Sequence, residues 1–483
     1  MITSTKTFPI IIAMLLALAM TACDRNPPLK PEAGPEAGLE AGPTSVQVSG
    51  PDLVTIDFSE PFDEVSGYTY VEATMHGTVE RDDGSEGNYA VPMILIYPND
   101  GGNGVGVVDW PASGYYGLTG YTDPDESMTI DMARLTTDGY LFENGYTYAS
   151  VQWSKAVTEL FADIEPGDDA NHLVRGTIED GRDAFHILRD AAGFLRDPGA
   201  FDGADAPSPV NTVLSFGFSH TAGLQLEFLR QGENLDNGVP VYDGHLRSFM
   251  GAYCEVPNND PPGFSTAEPC FDLPSGQEPM ITLVPQTDLK VLFAAYSRSP
   301  DDPNWRQYEL AGVSHLPTPI LELPVSDPEV QQNPIDPRPV FRAVFRNLTL
   351  WVTEGIAAPP SKFIEGEITG DLVFDQFHPS LDDDGNVLGG LRLPHMEQDV
   401  NGKVAGAPLG IYSGLNMAGF PDDVFLVLSG TFTPFSDERL AKLYPNRGAY
   451  VNRVTRAAGH LRQQGYILQE DKNAYVREAA QRR

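Results

Sequence analysis

The spacing of apolar residues changes along the chain, and each spacing predicts an element. Tyr68–Val79 (YTYVEATMHGTV) and Tyr89–Tyr97 (YAVPMILIY) are rich in β-formers and flank the turn cluster ERDDGSEGN, which predicts an antiparallel pair. Gly104–Asp109, Tyr146–Trp153 and Val210–Phe216 are short apolar runs of the kind that fill buried strands. Arg175–Leu195 carries Ile178, Phe185, Leu188, Ala192 and Leu195 at mostly helical spacing. His220–Gln231 predicts a second helix and Pro339–Gly355 a strongly amphipathic one. Leu246–Ala252, Met280–Val284 and Tyr308–Leu310 are further strand candidates, and residues 436–480 predict two closing helices around Tyr466-Ile467-Leu468. Short apolar strands alternating with helices imply the α/β class, a mostly parallel sheet with helices on both faces.

Composition sharpens this picture. The chain has 483 residues, 41% of them hydrophobic, enough to build a large core and to exclude disorder throughout. Lys and Arg number 31 against 68 Asp and Glu, a net charge of −37. That surface excludes nucleic acid as the main partner and disfavours docking on anionic lipid through a basic patch. The 47 Gly and 41 Pro predict many turns and long loops.

The first 23 residues read as a secretory signal, with Lys6 ahead of an apolar run from Phe8 to Met20. The run falls short of the ~20 residues that span a bilayer. Leu18-Ala19-Met20-Thr21-Ala22-Cys23 resembles a bacterial lipoprotein lipobox, which implies cleavage before Cys23 and a diacylglycerol on its sulfur. The expected location is therefore the bacterial envelope, periplasmic or surface-facing, with membrane contact through that anchor only, or else secretion. Residues 24–45, with Glu-Ala-Gly-Pro-like repeats, predict a disordered tether. Residues 46–483 are expected to form the folded domain. In an exported chain the other two cysteines, Cys254 and Cys270, are expected to pair across about 15 residues. They staple 253–279, a candidate lid or wall.

The chemistry points to residues 215–223, Ser-Phe-Gly-Phe-Ser-His-Thr-Ala-Gly. A buried strand runs into Gly217-x-Ser219-x-Thr221 and directly into a helix, the context of a nucleophile elbow. The turn exposes the Ser219 hydroxyl and aims a helix N-terminus at a developing oxyanion. Thr221 occupies a position where Gly is commoner. The backbone N–H of His220 is one candidate oxyanion donor, and that of Trp110 or Ala112 the second. A serine needs a base, and the base a carboxylate that sets its tautomer. His315 follows a short strand and a glycine turn (YELAGVSHL), whereas His245 comes before two remaining strands and His378 and His395 lack that setting. Asp288 follows the strand MITLVP and precedes His315 by 27 residues. Asp301, Asp302 and Glu309 compete for the same role, the first two in a solvated turn.

With these motifs the chain resembles the secreted bacterial alpha/beta hydrolase domain proteins, serine hydrolases of the α/β-hydrolase superfamily. The resemblance runs over most of residues 65–480 and is carried by LFENGYTYASVQW, FGFSHTAG, VPQTDL, YELAGVSHL, LWVTEGIAAPPS and DDDGNVLGGLRLP. It implies an α/β-hydrolase fold and a Ser-His-Asp hydrolase directed at small-molecule esters. Family elbows often carry Gln where His220 stands. Many relatives read Ser-Glu-Thr-Asp where this chain has Pro285-Gln286-Thr287-Asp288, so loss of that Glu makes Asp288 the natural acid. Two alternatives remain: an amidase-type hydrolase on the same triad, and a degenerate surface-displayed binding protein. No cofactor or metal is expected. There is no nucleotide-binding glycine motif and no zinc spacing, and Leu381–Asn386 reads as a solvated turn rather than a calcium loop. Trp110, Tyr115, Tyr116 and Trp153 line a pocket or fill the core, the core being the stronger expectation.

Overall fold

A computed structural model describes residues 48–55, 67–81, 84–111, 136–156, 177–198, 207–236, 238–259, 268–270, 278–298, 302–317, 319, 332–369, 377–396, 406–416 and 424–482. The expected leader with Cys23, the expected tether, Ala112, Tyr115, Tyr116, Asp301 and much of 253–279 lie outside these. The chain divides into two compact units, Met1–Met280 and Ile281–Arg483.

The first unit holds strands β1 (Val48–Thr55), β2 (Tyr68–Glu80), β3 (Glu86–Pro98), β4 (Val105–Trp110), β5 (Thr147–Val151), β6 (Thr177–Ile178), β7 (Thr212–Phe218) and β8 (Gly244–Ser248). They lie in the order β1-β2-β3-β5-β4-β7-β8, with β6 beside β3. The predicted antiparallel pair is present, in register from Tyr68 opposite Pro98 to Glu80 opposite Glu86. From β5 onward the pairs β5–β4, β4–β7 and β7–β8 are parallel. β4, β5, β7 and β8 are buried along their whole lengths, as parallel strands covered by helices must be.

Helices α1 (Ala184–Arg196) and α2 (His220–Arg230) pack on this sheet. Phe185 of α1 meets Phe228 of α2 edge-on at 5.4 Å, and Phe228 meets Trp110 at 5.2 Å. Such pairs add about 1 kcal/mol each beyond the area they bury. α1 begins nine residues later than the helix expected from Arg175. Thr177 and Ile178 pair with Ala90 and Tyr89, and the Asp180 carboxylate caps the following turn by accepting from the Arg182 N–H at 3.0 Å. The strand expected over Leu246–Ala252 stops at Ser248, because Phe249 turns to φ 55°.

Asp190 of α1 is buried, and the Tyr89 hydroxyl donates to it. Burial pushes its carboxyl up to about 6. The folded state therefore holds a proton that the unfolded chain releases near its ordinary value of about 3.9, and stability falls as pH rises between the two. Asp190→Asn is expected to be more stable than the parent at pH 8, by up to about 3 kcal/mol, with the advantage vanishing below pH 4. Urea unfolding at the two pH values measures this.

The segment after β8 is closed on itself by a disulfide and hydrogen-bonded to α2. Tyr253–Cys254 pairs with Glu268–Pro269, and Cys254 is disulfide-bonded to Cys270, as expected. The Glu255 N–H donates to the Gly223 carbonyl and the Arg230 guanidinium to Cys254 Sγ. Replacing both cysteines by alanine is expected to cost about 3 kcal/mol in the chain-entropy account, read as a lower urea midpoint.

The second unit carries neighbouring strands β9 (Met280–Pro285) and β10 (Trp305–Leu310), followed by helices α3 (Gln286–Val291), α4 (Arg338–Glu354), α5 (Arg447–Gln464) and α6 (Gln469–Gln481). A further helix, Asp437–Leu443, precedes α5, so the expected pair of closing helices is three. The turn between α5 and α6 buries Tyr466, Ile467 and Leu468. Asn347 of α4 donates to the Gly465 carbonyl at 2.9 Å. Asp382 accepts from the Asp384 and Asn386 N–H groups and contacts Arg392, while Asp384 pairs with Arg439. That acidic loop is satisfied by its own chain. Among the described residues no helix is long and apolar enough to cross a membrane.

Candidate active site

β7 delivers Ser219 to the start of α2 at φ 56°, ψ −130°. An L-residue reaches such angles at a cost of about 1–3 kcal/mol, so the surroundings must hold it there. They do. The Ser219 N–H donates to the Ser248 carbonyl and the Ala222 N–H to the Ser219 carbonyl, each at 2.9 Å. Thr221 Oγ1 accepts from the Phe218 N–H at 3.0 Å and donates to the Phe218 carbonyl at 2.9 Å. Threonine thus closes the turn with its hydroxyl, which a glycine there would lack. Gly217 is required sterically: a Cβ would lie 2.5 Å from the side-chain amide of Gln225 and 2.9 Å from the Thr221 carbonyl.

His220 opens α2 with its imidazole buried, and burial pushes it down to about 3, so it is neutral. Its ring lies 6.2 Å from that of Trp153. Trp110 ends β4 opposite Gly217, with its indole fully buried among Phe228 and Tyr242. Trp110 and Trp153 both belong to the core.

In the second unit, Asp288 and His315 meet. His315 Nδ1 lies 2.8 Å from Asp288 Oδ1, and both side chains are buried. Burial pushes the Asp288 carboxyl up, and the adjacent imidazole opposes that shift. Asp288 stands in the first turn of α3 and its side chain is directed to His315, not to a helix cap. The His315 loop is pinned by Gln286 and Thr287, the two residues before Asp288. The His315 N–H donates to Thr287 Oγ1 at 2.9 Å, and the Gly312 N–H to Gln286 Oε1 at 2.8 Å. The Thr287 hydroxyl in turn donates to the Gly414 carbonyl. Gly312 sits at φ 74°, where a Cβ would also lie 2.6 Å from Met396 Sδ.

The competing groups have other work. Glu309 accepts two bonds from Arg298 at 2.6 Å, one from the Gln307 amide and one from the Ile364 N–H. Asp302 accepts from the Asn304 N–H. His245 is buried with Nδ1 2.7 Å from Ser215 Oγ. His395 is half-buried against Tyr412 and Tyr475. Among the described residues no three His, Cys, Asp or Glu side chains are grouped to hold a metal ion.

The first unit holds a strained serine at a helix N-terminus and the second an imidazole bonded to a buried carboxylate, and acyl chemistry uses groups of both kinds. No curated protein matches the chain. Among solved structures it is similar to the rice cell wall degrading esterase LipA from Xanthomonas oryzae, at 11% identity and TM-score 0.31, covering 54% of this chain and 90% of that one. A CE15 glucuronoyl esterase from Teredinibacter turnerae matches at 12% identity and TM-score 0.27, over 50% of this chain and 61% of that one. Candida Antarctica lipase A matches at 12% identity and TM-score 0.26, over 43% and 42%. The family model described as "Alpha/beta hydrolase domain" matches residues 69–477, a span that contains β2 through most of α6, the Ser219 elbow and the Asp288–His315 pair. The chain belongs to the alpha/beta hydrolase domain family.

Proposed function

We propose that this hydrolase cleaves carboxylic esters of small molecules through Ser219, His315 and Asp288. The observation that carries the reading is the backbone of Ser219, a non-glycine residue at φ 56° between a fully buried strand and a helix. Strain of this kind is kept where a nucleophile must be presented. The order Ser-Asp-His along the chain is that of this fold. With Nδ1–H donated to Asp288, His315 keeps Nε2 as its basic nitrogen. In the proposed reaction Nε2 takes the Ser219 proton as Oγ bonds to the ester carbonyl carbon. The N–H of His220, with that of Trp110 or Ala112, holds the oxyanion, each donor worth about 3 kcal/mol. Collapse expels the alcohol, which takes the proton from His315. Water then releases the acid by the reverse proton route.

A fluorophosphonate probe followed by peptide mapping tests this. Stoichiometric labelling at Ser219 is expected. Labelling at another serine, or none in folded protein at pH 8, would overturn the assignment.

We also propose that the enzyme is exported and held to a bacterial envelope membrane by a lipid on Cys23, ahead of the tether. The Cys254–Cys270 bond supports export, since such bonds persist in oxidising compartments. Cys23→Ala is expected to move the protein from the membrane fraction to the soluble one, and an unchanged distribution would sink the anchor.

A further inference from the structure

Gln225 is fully buried in α2, beneath the strand end that carries Ser219. A leucine there would be cheaper to bury, because an amide must replace every hydrogen bond it gives up to water. Only one orientation of the amide gives both ends complementary partners. In it, Oε1 accepts from the Gly217 N–H at 3.2 Å and from the Ser215 hydroxyl at 2.9 Å, while Nε2 donates to the Leu246 carbonyl at 3.2 Å. The reverse orientation sets amide protons against the Gly217 N–H and a carbonyl oxygen against Leu246 C=O. With its proton given to Gln225, Ser215 Oγ accepts from His245 Nδ1–H at 2.7 Å. One side chain of α2 therefore ties β7 at two points and β8 at a third. Gly217 and Ser215 lie two and four residues before Ser219.

We propose that Gln225 is a positioning residue for catalysis: by bonding Gly217, Ser215 and Leu246 it holds the backbone that presents Ser219. The inference rests on the reading of Ser219 as nucleophile. A serine held at strained angles relaxes when its support loosens, and a displacement of about 1 Å at a reacting group costs about 100-fold in rate. The role differs from core packing because it predicts a rate loss at temperatures where the fold is intact.

The test uses Gln225→Leu and Gln225→Glu, assayed at 20 °C with circular dichroism confirming the folded state. The readouts are the rate of fluorophosphonate labelling at Ser219, and kcat and KM on p-nitrophenyl acetate. Gln225→Leu is expected to lower the labelling rate and kcat together by about 100-fold with KM nearly unchanged. In Gln225→Glu a protonated carboxyl keeps the two acceptor bonds and donates its proton to Leu246, so near-parent rates are expected at pH 6. At pH 8.5 ionisation removes that donor, and the rate is expected to fall although the parent's does not. The titratable residues of these elements are His220, Glu227 and Arg230 on α2 and His245 and Arg247 on β8, while β7 carries none. Burial pushes both histidines down to about 3 and Arg247 to about 10, so these three do not change charge over this range. A Leu variant that labels at the parent rate, or a Glu variant without the pH dependence, overturns the proposal. Failure of the underlying reading is separate: it shows as absent labelling of Ser219 in the parent protein.

Discussion

Ser219→Ala is expected to lower kcat on an activated ester by about 10⁴-fold or more and to abolish fluorophosphonate labelling, with the fold unchanged. The hydroxyl is the group that bonds to carbon in the proposed step, so no neighbouring side chain substitutes for it. Residual hydrolysis above buffer would come from oxyanion stabilisation and binding alone. A second substitution separates function from strain. Both Ser and Ala must adopt φ 56° at this turn, whereas glycine does so at little steric cost. Ser219→Gly is therefore expected to be as inactive as Ser219→Ala yet more stable than it, by about 1–2 kcal/mol. Urea unfolding of the pair measures this. Equal stabilities would contradict the strain argument, and an active alanine variant would refute the nucleophile.

Asp288→Asn is expected to lower kcat by about 10³–10⁴-fold while leaving the protein at least as stable at pH 8. The carboxylate accepts the Nδ1 proton of His315 at 2.8 Å. An asparagine can instead donate its amide proton to Nδ1, which moves the imidazole proton to Nε2 and removes the base. The stability expectation has the opposite sign from a surface ion pair. Burial pushes the Asp288 carboxyl above its ordinary range, so holding it ionised in the fold costs free energy once pH exceeds its unfolded value. Asparagine carries no such penalty. Loss of activity with undiminished stability is the expected pair of results from kinetics and unfolding at the same pH. Full activity would remove Asp288 from the mechanism.

A second buried carboxylate near His315 shows that position along the chain does not select the acid. Glu309 lies in YELAGVSHL, six residues before His315, and by position alone competes with Asp288. Its carboxylate is committed to Arg298, Gln307 and Ile364. Arg298 also stacks between Phe363 and Phe377, at 5.5 and 5.0 Å. Glu309 and its partners thus bind three separate segments of the second unit together.

Sequence alone determined the periodic elements, the strand–serine–helix turn and the pairing of Cys254 with Cys270, because each depends on residue types close in the chain. Its errors lie at boundaries and in the number of closing helices. The start of α1 and the end of β8 depend on a cap at Asp180 and a left-handed Phe249, single residues that periodicity averages away. Tertiary structure alone decided which carboxylate faces His315. It also decided that Thr221 closes the elbow, that Thr287 holds His315 and bonds to Gly414, 127 residues beyond Thr287, and that Gln225 binds two strands. Those are directional bonds between atoms that hydrophobic patterning does not rank, and their partners become neighbours only when the sheet and its helices have packed.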